Sequence, residues 1–335
     1  MMQQKSGTAL IRCDGGTPRL RRVAALGRAL RDLEGMEVHF ALGSAVPAAI
    51  SGADFFGHAV ATEAEFAALV RRRKPDLLIL DSGANVSRAE AESLRGDCLL
   101  MAALEEEGEL RLACDFAYYP PLPTARALRW AGARTVPRIG WPWLLPGAQP
   151  IQAFSSRPAL LVALDDSGLT ERAARALAPL ESPFRIRFAI GAGMARARAL
   201  AAGIVAMKRN FETVEGAGDF STEYAAAELA LCTPQNAGEL AGFGVPAIYL
   251  CGSRAEEDNA KAFEEAGMGI SAGLAENCSD GEILGLVKDL MNDSVRRRHL
   301  RQTAMARLEG GGAARIAADL AGAIREEKLP IRVAL

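Results

Sequence analysis

The feature that most constrains this chain is a rhythm. Short apolar runs alternate with longer amphipathic stretches, and the series occurs twice. Ala9–Cys13, Val38–Leu42, Leu77–Leu80, Cys98–Ala102, Leu110–Cys114 and Thr135–Ile139 read as strands. Between the first two, Leu20, Val23, Leu26, Leu30 and Leu33 recur at helical spacing, while Arg21, Arg22, Arg28 and Arg31 fall mainly elsewhere. That is a helix laid on a sheet. Strand, helix, strand in repetition implies parallel pairing with right-handed crossovers. After Gly140-Trp141-Pro142-Trp143, Pro146, Gly147 and Pro150, which together read as a linker, a second series begins. Its strands are Ala159–Leu164, Ile186–Ile190, Thr213–Val214, Leu229–Cys232, Ala247–Cys251 and Gly269–Ile270. Its helices fall at Thr170–Leu180, Glu223–Ala227, Ala237–Phe243, Glu256–Ala266, Gly281–Met291, Ser294–Leu308 and Ala313–Glu327. The expectation is an α/β chain of two doubly wound domains, residues 1–146 and 147–312, with a closing segment 313–335.

Composition agrees with that class. The chain has 335 residues, half of them hydrophobic and 24% charged, with 39 basic and 41 acidic side chains for a net charge of −2. A disordered tail and a cationic nucleic-acid module are excluded. The basic runs Arg71-Arg72-Arg73-Lys74 and Arg296-Arg297-Arg298-His299 lie on helices without interleaved aromatics and read as solvated faces. The opening MMQQKSGTALIRCD has no long apolar core before a cleavage site, and no apolar window is long enough to span a bilayer. The expected location is the cytoplasm. Six scattered cysteines without a CxxC pair, and three histidines, support neither a zinc site nor a redox motif. No metal and no cofactor is expected.

In open α/β sheets, ligands bind beyond the carboxyl ends of the strands. With two such domains, the natural site is a cleft between them. The residues after each strand are therefore the informative ones. Arg12-Cys13-Asp14-Gly15-Gly16-Thr17-Pro18-Arg19 follows the first strand. Its glycines allow a tight turn, Thr17 is a candidate N-cap, and Pro18 suits a first helical turn. The following helix N-terminus can meet an anion, or the segment is a plain strand-to-helix turn. Asp81-Ser82-Gly83 ends another strand; its carboxylate can face a ligand or bond its own backbone. Asp165-Asp166-Ser167-Gly168 opens the second series; two adjacent carboxylates repel a diphosphate and can instead cap the next helix or hold a metal.

The most specific stretch runs from Glu228 to Gly269. A strand ends at Cys232, a polar loop Thr233-Pro234-Gln235-Asn236 leads into a helix bearing Glu239, and Gly244-Val245-Pro246 stops that helix. The strand Ala247–Cys251, then Asn259-Ala260 and Ala266-Gly267, complete the pattern. A carboxylate early in such a helix can accept two ribose hydroxyls, and the same residues also serve an ordinary βαβ unit.

In this stretch the sequence resembles the GT-B superfamily of nucleotide-sugar enzymes. Within it the resemblance is nearest to the UDP-sugar hydrolases of pseudaminic-acid synthesis (UDP-2,4-diacetamido-2,4,6-trideoxy-altropyranose hydrolases), and more distantly to the lipid II N-acetylglucosaminyltransferases. Arg12-Cys13-Asp14, Gly16 to Arg22, Pro75 to Asp81 and Gly140 to Leu145 match the hydrolase pattern in order, ahead of the Glu239 segment. The resemblance implies two Rossmann-like domains facing across a cleft, an acceptor or sugar side in 1–146, nucleotide binding in 147–312, and a closing helix that packs back on the first domain. It gives Glu239 the uridine ribose, places Phe220 near the uracil, and puts Gln235 and Asn236 beside the nucleotide. Arg12, Gly16, Arg19, Trp143 and Asn259 fall on the substrate side. The implied partner is a nucleotide sugar of UDP or CMP type.

The sequence departs from that pattern at defined points. The family's catalytic His falls on Arg19, the Gly before it on Pro18, and the His-Tyr after the strand Asp on Ser82-Gly83. The Gly-rich phosphate loop falls on Asp165-Asp166-Ser167-Gly168, and the Gln ahead of Asn259 near Glu256. Arginine is always charged and cannot be a general base. A like-charge pair about 4 Å apart costs on the order of 4 kcal/mol at an effective dielectric near 20. Two readings therefore stand. In one, a divergent hydrolase or transferase uses Asp14 or Asp81 as acid/base, with Arg12 or Arg19 on the phosphate. In the other, an inactive nucleotide-sugar-binding scaffold serves the same surface-glycan pathway. Trp141 and Trp143 either stack on a sugar or pack at the domain junction.

Overall fold

A computed structural model of the chain describes residues 7–43, 55–81, 83, 86–146, 159–182, 184–191, 193–216, 220–308 and 311–328. The chain forms two compact units, residues 1–147 with 310–335, and residues 148–309. The end of the expected linker from Gly147 on, Ser82, and residues 217–219 before Phe220 lie outside the described residues.

The first unit is a seven-stranded sheet in the order β3-β2-β1-β4-β5-β6-β7. The strands are β1 (Thr8–Cys13), β2 (Glu37–Leu42), β3 (Phe56–Ala59), β4 (Leu77–Asp81), β5 (Leu100–Leu104), β6 (Phe116–Tyr119) and β7 (Val136–Ile139). Every pairing is parallel. The period of two along β1 divides the unit's core. Ala9, Ile11 and Cys13 pack with Val23, Leu26 and Leu30 of α1 (Thr17–Asp32), and with Ile316 and Leu320 of the closing helix Gly312–Lys328. Leu10 packs on the other face with Phe66, Leu69 and Val70 of α2 (Glu63–Arg73), and with Leu94 of α3 (Arg88–Leu94). Each fully buried Leu or Ile contributes about 1.5–3 kcal/mol. A short helix α4 (Pro123–Ala127) lies between β6 and β7.

The second unit is a six-stranded parallel sheet in the order β10-β9-β8-β11-β12-β13. The strands are β8 (Ala159–Ala163), β9 (Arg185–Gly191), β10 (Phe211–Gly216), β11 (Ala227–Cys232), β12 (Ala247–Cys251) and β13 (Ile270–Leu274). The helices, in chain order, are α5 (Ser167–Leu177), α6 (Ala197–Met207), α7 (Ser221–Ala226), α8 (Ala237–Gly242), α9 (Arg254–Glu265), α10 (Asp280–Asn292) and α11 (Ser294–Arg307). The closing helix is then α12. Among the described residues, no helix is long and apolar enough to cross a membrane.

Both sheets wind outward from their first strand, so the strand order reverses between β1 and β4 and again between β8 and β11. The connections on either side of each reversal leave toward opposite faces, and a crevice opens at the carboxyl ends of those strands.

The structure corrects several sequence-based expectations. Leu110–Cys114 is not a strand but part of a 3₁₀ turn, Glu109–Ala113. Buried Arg111 explains it. Its guanidinium donates to the carbonyls of Glu107 and Arg129, both at 2.9 Å, and lies 5.2 Å from the Trp130 ring centre, which holds the chain curled. The strand comes later, as β6. The edge strand β3 and helix α6 were not expected; β3 is mostly exposed and carries no apolar run. The helix-capping residue ahead of α1 is Gly16, not Thr17, because the backbone is already helical at Thr17.

Candidate functional site

In the first unit, the β1/β4 reversal gathers Arg12, Cys13, Asp14, Arg19 and Asp81. Arg12 shares the sheet face of Leu10, and its guanidinium lies 5.1 Å from the Phe66 ring centre. Its Nε donates to Asp14 Oδ2 at 2.6 Å and its Nη1 to the Val60 carbonyl at 3.2 Å. Gly43 lets the Asp14 carboxylate lie close, since a β-carbon there would crowd Oδ1. Asp81 ends β4 and has no exposed surface. Its Oδ1 accepts from Arg22 at 2.6 Å, and the same guanidinium reaches Glu105 at 2.6 Å. Burial lifts the Asp81 carboxyl above the usual range, and Arg22 pulls the other way. The Cys13 thiol stands 3.6 Å from Asp81 Oδ2, and burial pushes it up to about 12, which leaves it an inert thiol. Arg19 is exposed on the first turn of α1 and runs past Gly15 and Gly83; a β-carbon at either would collide with it. Gly83 has φ +74°, a conformation that favours glycine.

In the second unit, the β8/β11 reversal is spanned by side chains. Thr233 Oγ1 donates to Asp165 Oδ2. Asn236 Nδ2 reaches Asp165 Oδ2 and the Ala163 carbonyl, each at 3.1 Å. Tyr224 Oη donates to Asn236 Oδ1 at 3.3 Å, and its ring meets Phe243 edge-on at 5.8 Å. Asp165 is exposed as a residue, yet desolvation of its carboxyl pushes it above the usual range. The bonds from Thr233 and Asn236 oppose that rise and Glu256 adds to it. Asp166 caps α5, accepting from the Leu169 N–H at 2.8 Å. Of the two roles open to this acidic pair, a helix cap or a metal site, Asp166 takes the cap, and Asp165 instead bridges to Thr233 and Asn236.

Beyond Asn236, α8 places half-buried Glu239 in its first turn. Gly244 ends the helix at φ +66°, with its N–H on the Ala241 carbonyl at 3.0 Å and the Val245 N–H on that of Leu240 at 2.9 Å. Gln235 Nε2 approaches Glu256 Oε1 at 3.4 Å. Asn259 stands on α9, and its Oδ1 is buried without a hydrogen-bond partner among the described residues. A separate cavity of about 480 Å³ lies along α5 and α6, lined by Ser167, Glu171, Arg196, Leu200, Ile204 and Met207.

No protein-family model matches the sequence, and no curated protein matches it. Solved structures do. S. aureus MnaA, solved with UDP, is 13% identical, with 95% of this chain and 97% of that chain covered at a TM-score of 0.67. The glycosyltransferase VinC, solved with DTDP, is 15% identical over 95% of this chain and 100% of that one, at 0.67. Spinosyn forosaminyltransferase SpnP is 14% identical over 95% and 99%, at 0.68. The fold is of the GT-B type.

Within that fold, the residues singled out by sequence separate into three groups, with Asn259 by itself on α9. Arg12, Asp14, Gly16, Arg19 and Asp81 gather at the carboxyl ends of β1 and β4. Gln235, Asn236 and Glu239 sit on the turn and helix after β11, with Phe220 at the start of α7, where its carbonyl accepts from the Tyr224 N–H at 2.8 Å. Trp143 stands apart, packed on Tyr118 with ring centres 5.3 Å apart in the core beneath α12. Sequence reading missed Arg22, Glu105 and the Asp165–Thr233 bridge. Only the buried Asp81 could have hinted at a partner such as Arg22, since a buried carboxylate needs a counter-charge. Among the described residues, no group of three or more His, Cys, Asp or Glu side chains could hold a metal ion.

Proposed function

We propose that this chain binds a nucleotide sugar, of UDP or CMP type, and acts on it as a divergent hydrolase or glycosyltransferase-like protein of surface-glycan (nonulosonic-acid) biosynthesis. The observation that carries the reading is Glu239. It stands half-buried in the first turn of α8, immediately beyond the β8/β11 reversal where doubly wound sheets take nucleotides. A carboxylate there can accept two bonds from the vicinal hydroxyls of a ribose. The resemblance assigns Glu239 that contact and Phe220 the base. The shared fold of MnaA, solved with UDP, and VinC, solved with DTDP, supports the same ligand class.

In the first unit, Asp14 is the candidate acid/base, with Arg12 and Arg19 as cations for a phosphate. Asp81, the other carboxylate considered for that role, is enclosed with Arg22 and fits the task of holding the guanidinium in place. Titration calorimetry with UMP, CMP and a UDP-sugar tests the reading. Heat is expected from the intact protein with at least one of these ligands, and Glu239→Ala should weaken that binding by about tenfold or more, ~1.4 kcal/mol. No heat, or an unchanged Kd in the variant, rejects it.

A second reading, binding without turnover, is favoured by one specific arrangement. Arg19 occupies the place of the family's catalytic His and is always charged, while Asp81 is closed off by Arg22. Sustained turnover of a nucleotide sugar by the purified protein excludes this reading.

A further inference from the structure

The β8–α5 turn is where a doubly wound sheet ordinarily receives a pyrophosphate. Glycines there let the backbone approach, and the free N–H groups of the next helix meet the anion. In the second unit several of these N–H donors are taken from within. The Leu169 N–H is taken by Asp166 Oδ1 at 2.8 Å. The Gly252 N–H, at the end of β12, is taken by Glu256 Oε2 at 2.7 Å, and the Glu256 N–H by Ser253 Oγ at 3.3 Å. The Asn236 N–H, after β11, is taken by the Thr233 carbonyl at 3.1 Å. Three neighbouring strand ends thus direct their polar hydrogens to the protein's own oxygens.

Charge points the same way. Asp165 holds its carboxylate across the crevice, tied to Thr233 and Asn236. Glu256 flanks it from the next turn. The nearby cations Arg254 and Lys261 are both committed to Glu257, at 2.9 and 3.3 Å. Gly168, the only glycine of the turn, already has Asp166 Oδ1 within 3.0 Å of where a β-carbon would stand. A second phosphate entering here meets carboxylates and no available N–H among those named.

We propose that Asp165, bridged to Thr233 and Asn236, makes this nucleotide site reject a pyrophosphate, so that its ligand is a nucleoside carrying a single phosphate, as in a sugar joined through a nucleoside monophosphate. This rests on the nucleotide reading given above. The ribose contact assigned to Glu239 on α8 does not use the β8–α5 turn. Asp165 is a specificity residue: it sets how many phosphates the site accepts.

Calorimetric titration of the full chain with UMP and with UDP tests it. The intact protein should bind UDP no more tightly than UMP. Asp165→Gly, which removes the carboxylate and restores close backbone approach, should strengthen UDP binding by about tenfold or more while changing UMP by less than about threefold. Asp165→Asn, which keeps the side-chain shape, should move UDP in the same direction. UDP bound measurably more tightly than UMP by the intact protein overturns the proposal whatever the variants do, and leaves the nucleotide reading standing. A ratio unchanged in both variants also overturns it. Absence of binding by UMP, CMP and UDP alike overturns the nucleotide reading and this inference with it.

Discussion

Arg22 carries more of the first unit than its place in an arginine-rich helix suggests. It joins Asp81, which has no exposed surface, to Glu105, and both contacts are 2.6 Å. Removing one member of a buried pair leaves a charge without compensation, at a cost of about 3–5 kcal/mol. All three tryptophans, Trp130, Trp141 and Trp143, lie in the first unit, so tryptophan fluorescence reports on its unfolding. Arg22→Ala should lower the fluorescence-detected urea midpoint. The double variant Arg22→Met with Asp81→Leu should recover much of the loss. A second carboxylate gives a pH signature. Burial and the adjoining Glu63 push Glu90 up to about 7, with Arg71 and Arg12 pulling down. The folded state therefore holds a proton that the unfolded state releases. Its stabilisation is complete below about pH 4.5 and fades as pH rises through about 7. The fluorescence-detected melting temperature should fall between about pH 6 and pH 8. Glu90→Gln, neutral throughout, should fall less. At this scale the sequence said little. Asp81 was visible as the end of an apolar run, but Arg22 lies 59 positions away and Thr233 lies 68 from Asp165. No local pattern marks such pairs; only the folded sheet brings them together.

Elements were more legible, and the misses have physical causes. Strands buried on both faces, such as Leu77–Asp81 and Ala247–Cys251, appear as unbroken apolar runs and were read within a residue of their ends. The edge strand Phe56-Gly57-His58-Ala59 has water on much of its surface and carries no such run. Helix α6 is built from alanines with little contrast between its faces, which hides its period. Close approaches between elements make further predictions. A β-carbon at Gly312 would stand 2.0 Å from the Leu144 carbonyl oxygen. Gly312→Ala must push α12 away from that segment, at a cost of about 1–3 kcal/mol or more. It should lower the tryptophan-detected midpoint, because Trp143 packs in the same core. Gly244→Ala acts differently: its φ of +66° costs an alanine about 1–2 kcal/mol. Its effect should appear as a lower urea midpoint in far-UV circular dichroism.

At the scale of the whole molecule, the two outward-wound sheets explain why charged and polar residues collect where they do. Each reversal in strand order parts two connections, and the residues just beyond the strands are set free of the ladder to meet one another. The fold class was legible because the strand–helix rhythm and a GT-B-like segment around Glu239 agree. The chemistry was less so. The same turns that hold phosphates in a nucleotide enzyme can carry an acidic side chain tied to the neighbouring strand end, as Asp165 is to Thr233, without altering the rhythm at all. The proposed function requires a nucleotide held by the helix after β11. Hydrogen–deuterium exchange with and without saturating UMP tests it most directly. Protection should appear at Ser221–Ala226 and Ala237–Gly242, and disappear in Glu239→Ala at the same UMP concentration. Protection that leaves both segments unchanged, or that persists in the variant, contradicts it.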